Sequence, residues 1–156
     1  MSEELYHYRE SGLSNVYLAN GYDIVETEFG ESVHIHRVEA LHDAIAMFLV
    51  QCPMRFNGET LKFLRVQLNM TQKAMGTTVF LHADAQAVAL WEKEKSKEIP
   101  GQAEIILRSF YAEAKSGTST HVTSLLQRFA EDDCQDFHAR RVEFQSNDLG
   151  EWKMCA

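Results

Sequence analysis

The chain has 156 residues, 45% hydrophobic and 24% charged, with eight glycines and two prolines; these ordinary globular values exclude a collagen, a coiled-coil rod and a wholly disordered chain and suit one or two domains. The longest apolar run, Ala44–Val50, is far short of the roughly 20 residues of a membrane span, and the opening Met1-Ser2-Glu3-Glu4 is acidic where a secretory signal is basic, so a soluble cytoplasmic protein with no membrane partner is expected. Three cysteines (Cys52, Cys134, Cys155) without a C-x-x-C argue against a disulfide framework or a four-cysteine zinc site, and the net charge of −8 divides as −7 over residues 1–54, +3 over 55–97 and −4 over 98–156, leaving only the middle third with the sign that attracts phosphate.

In chain order, strands come first. Val16 and Leu18 alternate with Tyr17 and lead into Asn20-Gly21, a dipeptide that readily adopts the φ > 0 conformation of a two-residue hairpin turn. A second alternating run covers Asp23–Phe29, and Gly30-Glu31 offers another turn before Val33–Arg37. The pattern predicts a small three-stranded antiparallel meander, which needs cover on one face. A helix supplies it: Val38, Leu41, Ile45, Phe48, Leu49 and Cys52 recur at helical spacing until Pro53. Asn57 then caps a helix over Gly58–Leu68, with Leu61, Leu64 and Leu68 on one stripe and Glu59 near its positive end. Asn69-Met70 breaks that helix, Thr71 caps a short one beginning at Gln72, and after a break near His82–Asp84 another helix carries Val88 and Trp91. Pro100-Gly101 precedes a helix over about Gln102–Lys115, anchored by Ile106, Leu107 and Phe110. Ser116–Thr120 reads as a linker, and Val122, Leu125, Leu126 and Phe129 as a helix ended by the acidic run Glu131–Asp136. Arg141–Gln145 and Glu151–Met154 flank Ser146–Gly150 as a terminal hairpin.

Glu59–Glu92 carries the most information. A helix, a short capped helix, a break and a further helix form the order that a helix-turn-helix module needs. Phe63-Leu64-Arg65, Thr71-Gln72-Lys73-Ala74-Met75-Gly76 and Val88–Trp91-Glu92 resemble the XRE-type repressor fold, a five-helix DNA-binding domain like that of phage lambda repressor. Tyr6-His7-Tyr8, Gly12-Leu13, Asn15-Val16 and Asn20-Gly21 resemble the front half of bacterial regulators related to the zinc-finger/helix-turn-helix antitoxins of the MqsA type, without their paired zinc-binding cysteines. The first resemblance implies a structural ion pair between Arg65 and Glu92, a core role for Val88 and Trp91, and a groove-facing side of Ala85, Gln86, Ala87 and Leu90. Gln72, at a helix N-terminus, is expected on a phosphate. Gln86 is the one good base reader, its amide suiting adenine N6 and N7, while the alanines and Leu90 suit thymine methyls. Lys73, Lys93, Lys95 and Lys97 are phosphate candidates. The chain departs from the family in two ways. Gln72 lies 19 residues before Trp91 where the family has 17, so two residues are added within Thr77–Ala83, and His82 stands near the place of the usual turn glycine. Lys93 is the one basic residue of the recognition helix.

Other constellations have plainer readings. His34 and His36 share a strand face near His42, which reads as a polar face before a three-histidine metal site. Cys134 and His138 are four apart but lack an orienting group and an oxyanion site. Tyr6, Tyr8, Tyr17 and Tyr22 read as a small core or dimer face, because a base-stacking platform needs interleaved arginine or lysine. No cluster of titratable groups fits a reaction class, so neither enzymatic activity nor a cofactor is expected. The fold expected is α+β: a small antiparallel sheet plus helix over 1–54, an all-α XRE-type helix-turn-helix domain over 55–115, and a helix with a hairpin over 116–156. The function expected is that of a transcriptional regulator binding double-stranded DNA as a homodimer. The alternatives are an antitoxin that binds a toxin protein and represses its own promoter, and a protein-interaction module with a degenerate helix-turn-helix.

Overall fold

A computed structural model describes residues 4–52, 55–80, 84–116 and 141–155. The chain is an α+β protein of five helices and two small sheets among those residues. It divides into two compact units, Met1–Ile45 with His138–Ala156, and Ala46–Phe137.

In the first unit, strand β1 (Tyr6–His7) is followed by a 3-10 turn (Arg9–Ser11), then β2 (Val16–Leu18), β3 (Tyr22–Thr27) and β4 (Gly30–Ile35). Helix α1 (Val38–Gln51) begins here, and Leu41 and Ile45 on it are buried. The chain returns as β5 (Val142–Ser146) and β6 (Trp152–Met154). One sheet has the order β1-β2-β5-β6, with β2 and β5 parallel and the two outer pairs antiparallel; β3 and β4 form a separate hairpin. Side chains alternate across a strand, and here Val16, Leu18, Val142, Phe144 and Trp152 all fall on the buried side.

This topology corrects the expected meander. A strand has two edges, and β2 spends one on β1 and the other on β5. The Ala19 amide extends the second ladder by donating to the Phe144 carbonyl at 2.9 Å, and the Asn20 side-chain oxygen accepts from the Ser146 amide at 2.6 Å. Asn20-Gly21 therefore carries the chain out of the sheet instead of turning it back on itself. Gly21 has φ +80°, and a Cβ there would stand 2.5 Å from the Trp152 ring. The terminal hairpin forms as expected, and its partner is the front strand β2. The strand expected to reach Arg37 stops at Ile35, and Arg37 has φ +49°.

In the second unit the rest of α1 is joined by α2 (Gly58–Gln67), α3 (Gln72–Thr78), α4 (Ala85–Lys93) and α5 (Gly101–Ser116). Both expected caps are made, and Asp84 adds a third at the start of α4. Asn57 accepts from the Thr60 amide, and Thr60 returns the bond in a capping box; Thr71 accepts from Ala74 at 3.0 Å and Asp84 from Ala87 at 2.7 Å. The core gathers Leu49, Phe56, Leu61, Leu64, Met75, Val79, Val88, Ile99, Leu107 and Tyr111. On α5, Leu107 is buried as expected, but Ile106 is exposed and Phe110 half-buried. The buried stripe runs through Ala103, Glu104, Leu107, Arg108 and Tyr111. Its centre is an ion pair hidden from the sequence pattern, Arg108 Nε 3.5 Å from Glu104 Oε2; Arg108 Nη1 also donates to the carbonyls of Leu49 at 2.8 Å and Cys52 at 2.6 Å, and its guanidinium lies 4.1 Å over the Phe56 ring. Arg108 thus satisfies the carbonyls that the end of α1 leaves open, while Glu104 accepts from Arg55 Nε at 3.3 Å and from the Phe56 amide.

The expected linker after Ser116, the helix over 122–129, Glu131–Asp136, Cys134 and His138 lie outside the described residues, as does His82. No helix among those described is long and apolar enough to cross a membrane.

Candidate nucleic-acid interface

Three helices and one carboxylate build the site. Glu92 lies near the end of α4, its side chain only 6% exposed. Its Oε1 accepts from Arg65 Nε on α2 at 2.5 Å, and its Oε2 accepts from Arg65 Nη2 at 3.2 Å and from Gln72 Nε2 on α3 at 2.8 Å. Arg65 Nη1 donates to the Met70 carbonyl at 2.9 Å, in the turn where Asn69 takes φ +56°. A forked arginine–carboxylate pair holds direction as well as distance, so α2, the turn after it, α3 and α4 are tied at one point. The Arg65–Glu92 pair implied by the resemblance is present. Gln72, expected on a phosphate, gives one side-chain N–H to Glu92, a contact the sequence does not indicate; a buried carboxylate is stabilised by donors beyond a single guanidinium.

A close backbone approach fixes the far end of α4. A Cβ on Gly58 would overlap the Trp91 carbonyl oxygen and lie 3.1 Å from that of Glu94, so α2 starts against the end of α4 only because residue 58 is glycine. The segment after α4 then runs back beside it, with Glu59 N donating to Lys95 O at 3.3 Å and Ile99 N to Phe56 O at 2.9 Å. Sequence reasoning placed Gly58 inside a helix without this reason, which depends on a residue 33 positions away.

The two sides of α4 differ. Val88 and Glu92 are buried. Gln86, Leu90 and Lys93 recur at i, i+4 and i+7 and are exposed, Leu90 by 54%, with the half-buried Ala85 and Ala87 beside Gln86. Trp91, expected in the core, is half-buried: it meets Phe80 edge-on at 5.5 Å and lines an open cavity of about 320 Å³ with Leu90, Ile99, Pro100 and Arg55. Lys73, Lys93, Lys95 and Lys97 are all exposed, and Lys97 pairs with Glu94 at 3.2 Å. Such a face offers one amide with both donor and acceptor, one apolar side chain and several cations, which is the chemistry of base-edge and phosphate contact.

The histidines and tyrosines of the first unit make local pairs. His36 Nε2 meets Asp23 Oδ2 at 2.5 Å, and His34 lies 5.7 Å from the His36 ring. His42 Nε2 bonds the buried Tyr8 hydroxyl at 2.7 Å. Burial pushes the His42 imidazole below its ordinary pKa against an opposing pull from Asp43, and burial holds the Tyr8 phenol up. Among the described residues, no three His, Cys, Asp or Glu side chains are placed to hold a metal. No protein-family model, curated protein or solved structure matches the chain.

Proposed function

We propose that the chain is a transcriptional regulator of the XRE type that binds double-stranded DNA in a sequence-specific way through α4. The observation that carries this reading is the contrast between the two sides of α4: an inner side locked by Val88 and the Arg65–Glu92–Gln72 network, and an outer side presenting Gln86, Leu90 and Lys93. One helix of this length reads too few bases for useful specificity. Two copies acting as a homodimer, on half-sites about 34 Å apart, overcome that limit. Gln86 reads a base edge, and Lys73, Lys93 and Lys95 contact phosphates.

Fluorescence anisotropy with the DNA upstream of the gene and with a scrambled duplex, over a salt series, tests the reading. Preference for the upstream DNA, weakening as salt rises, is the expected outcome. Equal and feeble binding to both duplexes removes it.

A second reading, an antitoxin that binds a toxin protein, is favoured by the β3–β4 hairpin. The hairpin and its turn carry Asp23, Glu26, Glu28 and Glu31 without a lysine or arginine, and Phe29 at the turn is 99% exposed. An acidic arm tipped with an aromatic ring suits a basic protein. Co-purification with the product of an adjacent reading frame, lost on Phe29→Ala, is what that reading requires.

A further inference from the structure

We propose that the outer face of the four-stranded sheet is a second phosphate-contact surface for duplex DNA, formed by Arg9, Arg141 and Lys153 around a Tyr17–His7 stack. The proposal takes its ligand from the DNA-binding reading above, but its residues lie in the other unit.

Strand pairing assigns the face. His7 pairs with Tyr17, Tyr17 with Glu143, and Gln145 with Lys153, so these side chains share the side opposite buried Val16, Leu18, Val142 and Phe144. The rings of His7 and Tyr17 stack at 4.5 Å, and the Arg141 guanidinium carbon lies 4.5 Å from the Tyr17 ring centre. His7 comes from the strand on one side of Tyr17, and Arg141 precedes the strand on the other. The sequence shows no arginine near Tyr17; the return of β5 beside β2 supplies it. A guanidinium laid on an aromatic face keeps its N–H edge for an anion.

His7 holds the second cation. Its Nε2 lies 2.9 Å from the Ser14 carbonyl, which can only accept, so Nε2 carries the proton; Nδ1 then accepts from Arg9 Nε at 3.1 Å. Arg9 is therefore positioned by a neutral ring, and its charge is not cancelled. No ion pair among the described residues involves Arg9, Arg141 or Lys153. Glu143 is the one carboxylate that strand pairing places on this face, in a unit whose front segment is strongly acidic.

The spread of the cations selects the ligand. They stand after β1, before β5 and on β6, and neighbouring strands lie about 4.8 Å apart, which distributes them over roughly 14 Å. That spacing does not converge on one small anion; it suits a backbone with a charge about every 1.7 Å of helix axis. Tyr17 has His7 and Arg141 against its ring, so no free platform remains for unstacked bases, and the contact is to duplex phosphate.

The test compares the full-length chain with R9Q/R141Q/K153Q, with K153Q alone, and with the α4-side variant K73Q/Q86A/K93Q, in anisotropy against the upstream and scrambled duplexes from low to moderate salt. Each lost phosphate contact lowers the salt slope by about 0.9. The triple front variant is expected to lose a slope of about 2 to 3 on both duplexes, with sequence preference unchanged. K153Q is expected to lose about 0.9 and serves if the triple variant fails to fold. An unchanged slope in K153Q and the triple variant overturns the proposal, and if sedimentation then shows loss of a dimer, the face belongs to a second copy. Loss of slope in the front variants with none in the α4-side variant keeps this surface and rejects the reading of α4. A chain that binds neither duplex rejects both.

Discussion

At the scale of single residues, Glu92 organises the α2–α4 assembly. Its carboxylate is buried with three donors on it, two from Arg65 and one from Gln72. Removing the guanidinium leaves a desolvated charge, so Arg65→Ala is expected to cost about 3–5 kcal/mol in urea unfolding, while replacing Arg65 and Glu92 together by leucine costs much less. A loss below about 1 kcal/mol, the range of exposed pairs, shows that the pair is solvated after all. The resemblance named this pair from sequence, but the turn of Gln72 onto it was not legible, because an amide's direction depends on where the buried acceptor ends up. His42 gives a second prediction. Its folded pKa is lowered by burial, so below an unfolded value near 6.5 the unfolded chain takes up a proton that the folded chain refuses. Stability is complete above that pH and falls as pH drops through 6.5 toward the lowered value. Thermal unfolding from pH 7.5 to 5 shows this as a falling Tm, and His42→Gln is expected to flatten it. An equally steep fall in the variant assigns the effect to other groups.

At the scale of elements, what depends on neighbours in sequence was legible and what depends on distant neighbours was not. Asn57 and Thr71 each cap the helix expected of them, because a cap needs only its own first turn; Asp84, where the sequence shows only a break before the next helix, caps α4 in the same way. The buried stripe of α5 was misplaced toward Ile106 because an apolar pattern does not reveal that Arg108 reaches the α1 carbonyls. The capping chemistry predicts a loss of about 1 kcal/mol for Asp84→Ala, read by thermal unfolding. Gln86→Ala touches the same helix on its open side. It is expected to leave stability within about 0.5 kcal/mol and to cost about 1–3 kcal/mol of discrimination at a single base pair. Uniform weakening across all operator variants instead makes Gln86 a backbone contact, and no change at all removes α4's outer side as the reading face.

At the scale of the whole molecule, the first unit is made of both ends of the described chain, and this was the least legible feature. Short runs such as Val16–Leu18 and Val142–Ser146 show strand character, but nothing in either run states that they pair in parallel across more than 120 residues. A meander and a sheet completed by the chain's return make opposite predictions. If β2 pairs only within the front segment, a change in β5 leaves it untouched. In the sheet found here, Phe144 is buried, pairs with Leu18, and its carbonyl accepts from the Ala19 amide. Phe144→Ala is therefore expected to cost about 3–5 kcal/mol and to strip hydrogen-exchange protection from the Tyr8 and Ala19 amides, which close the ladders on either side of β2. Phe29→Ala, on the exposed hairpin turn, stays within about 0.5 kcal/mol. Retained protection at Ala19 in Phe144→Ala means that β2 draws its stability from the front segment, and the parallel β2–β5 ladder is then rejected.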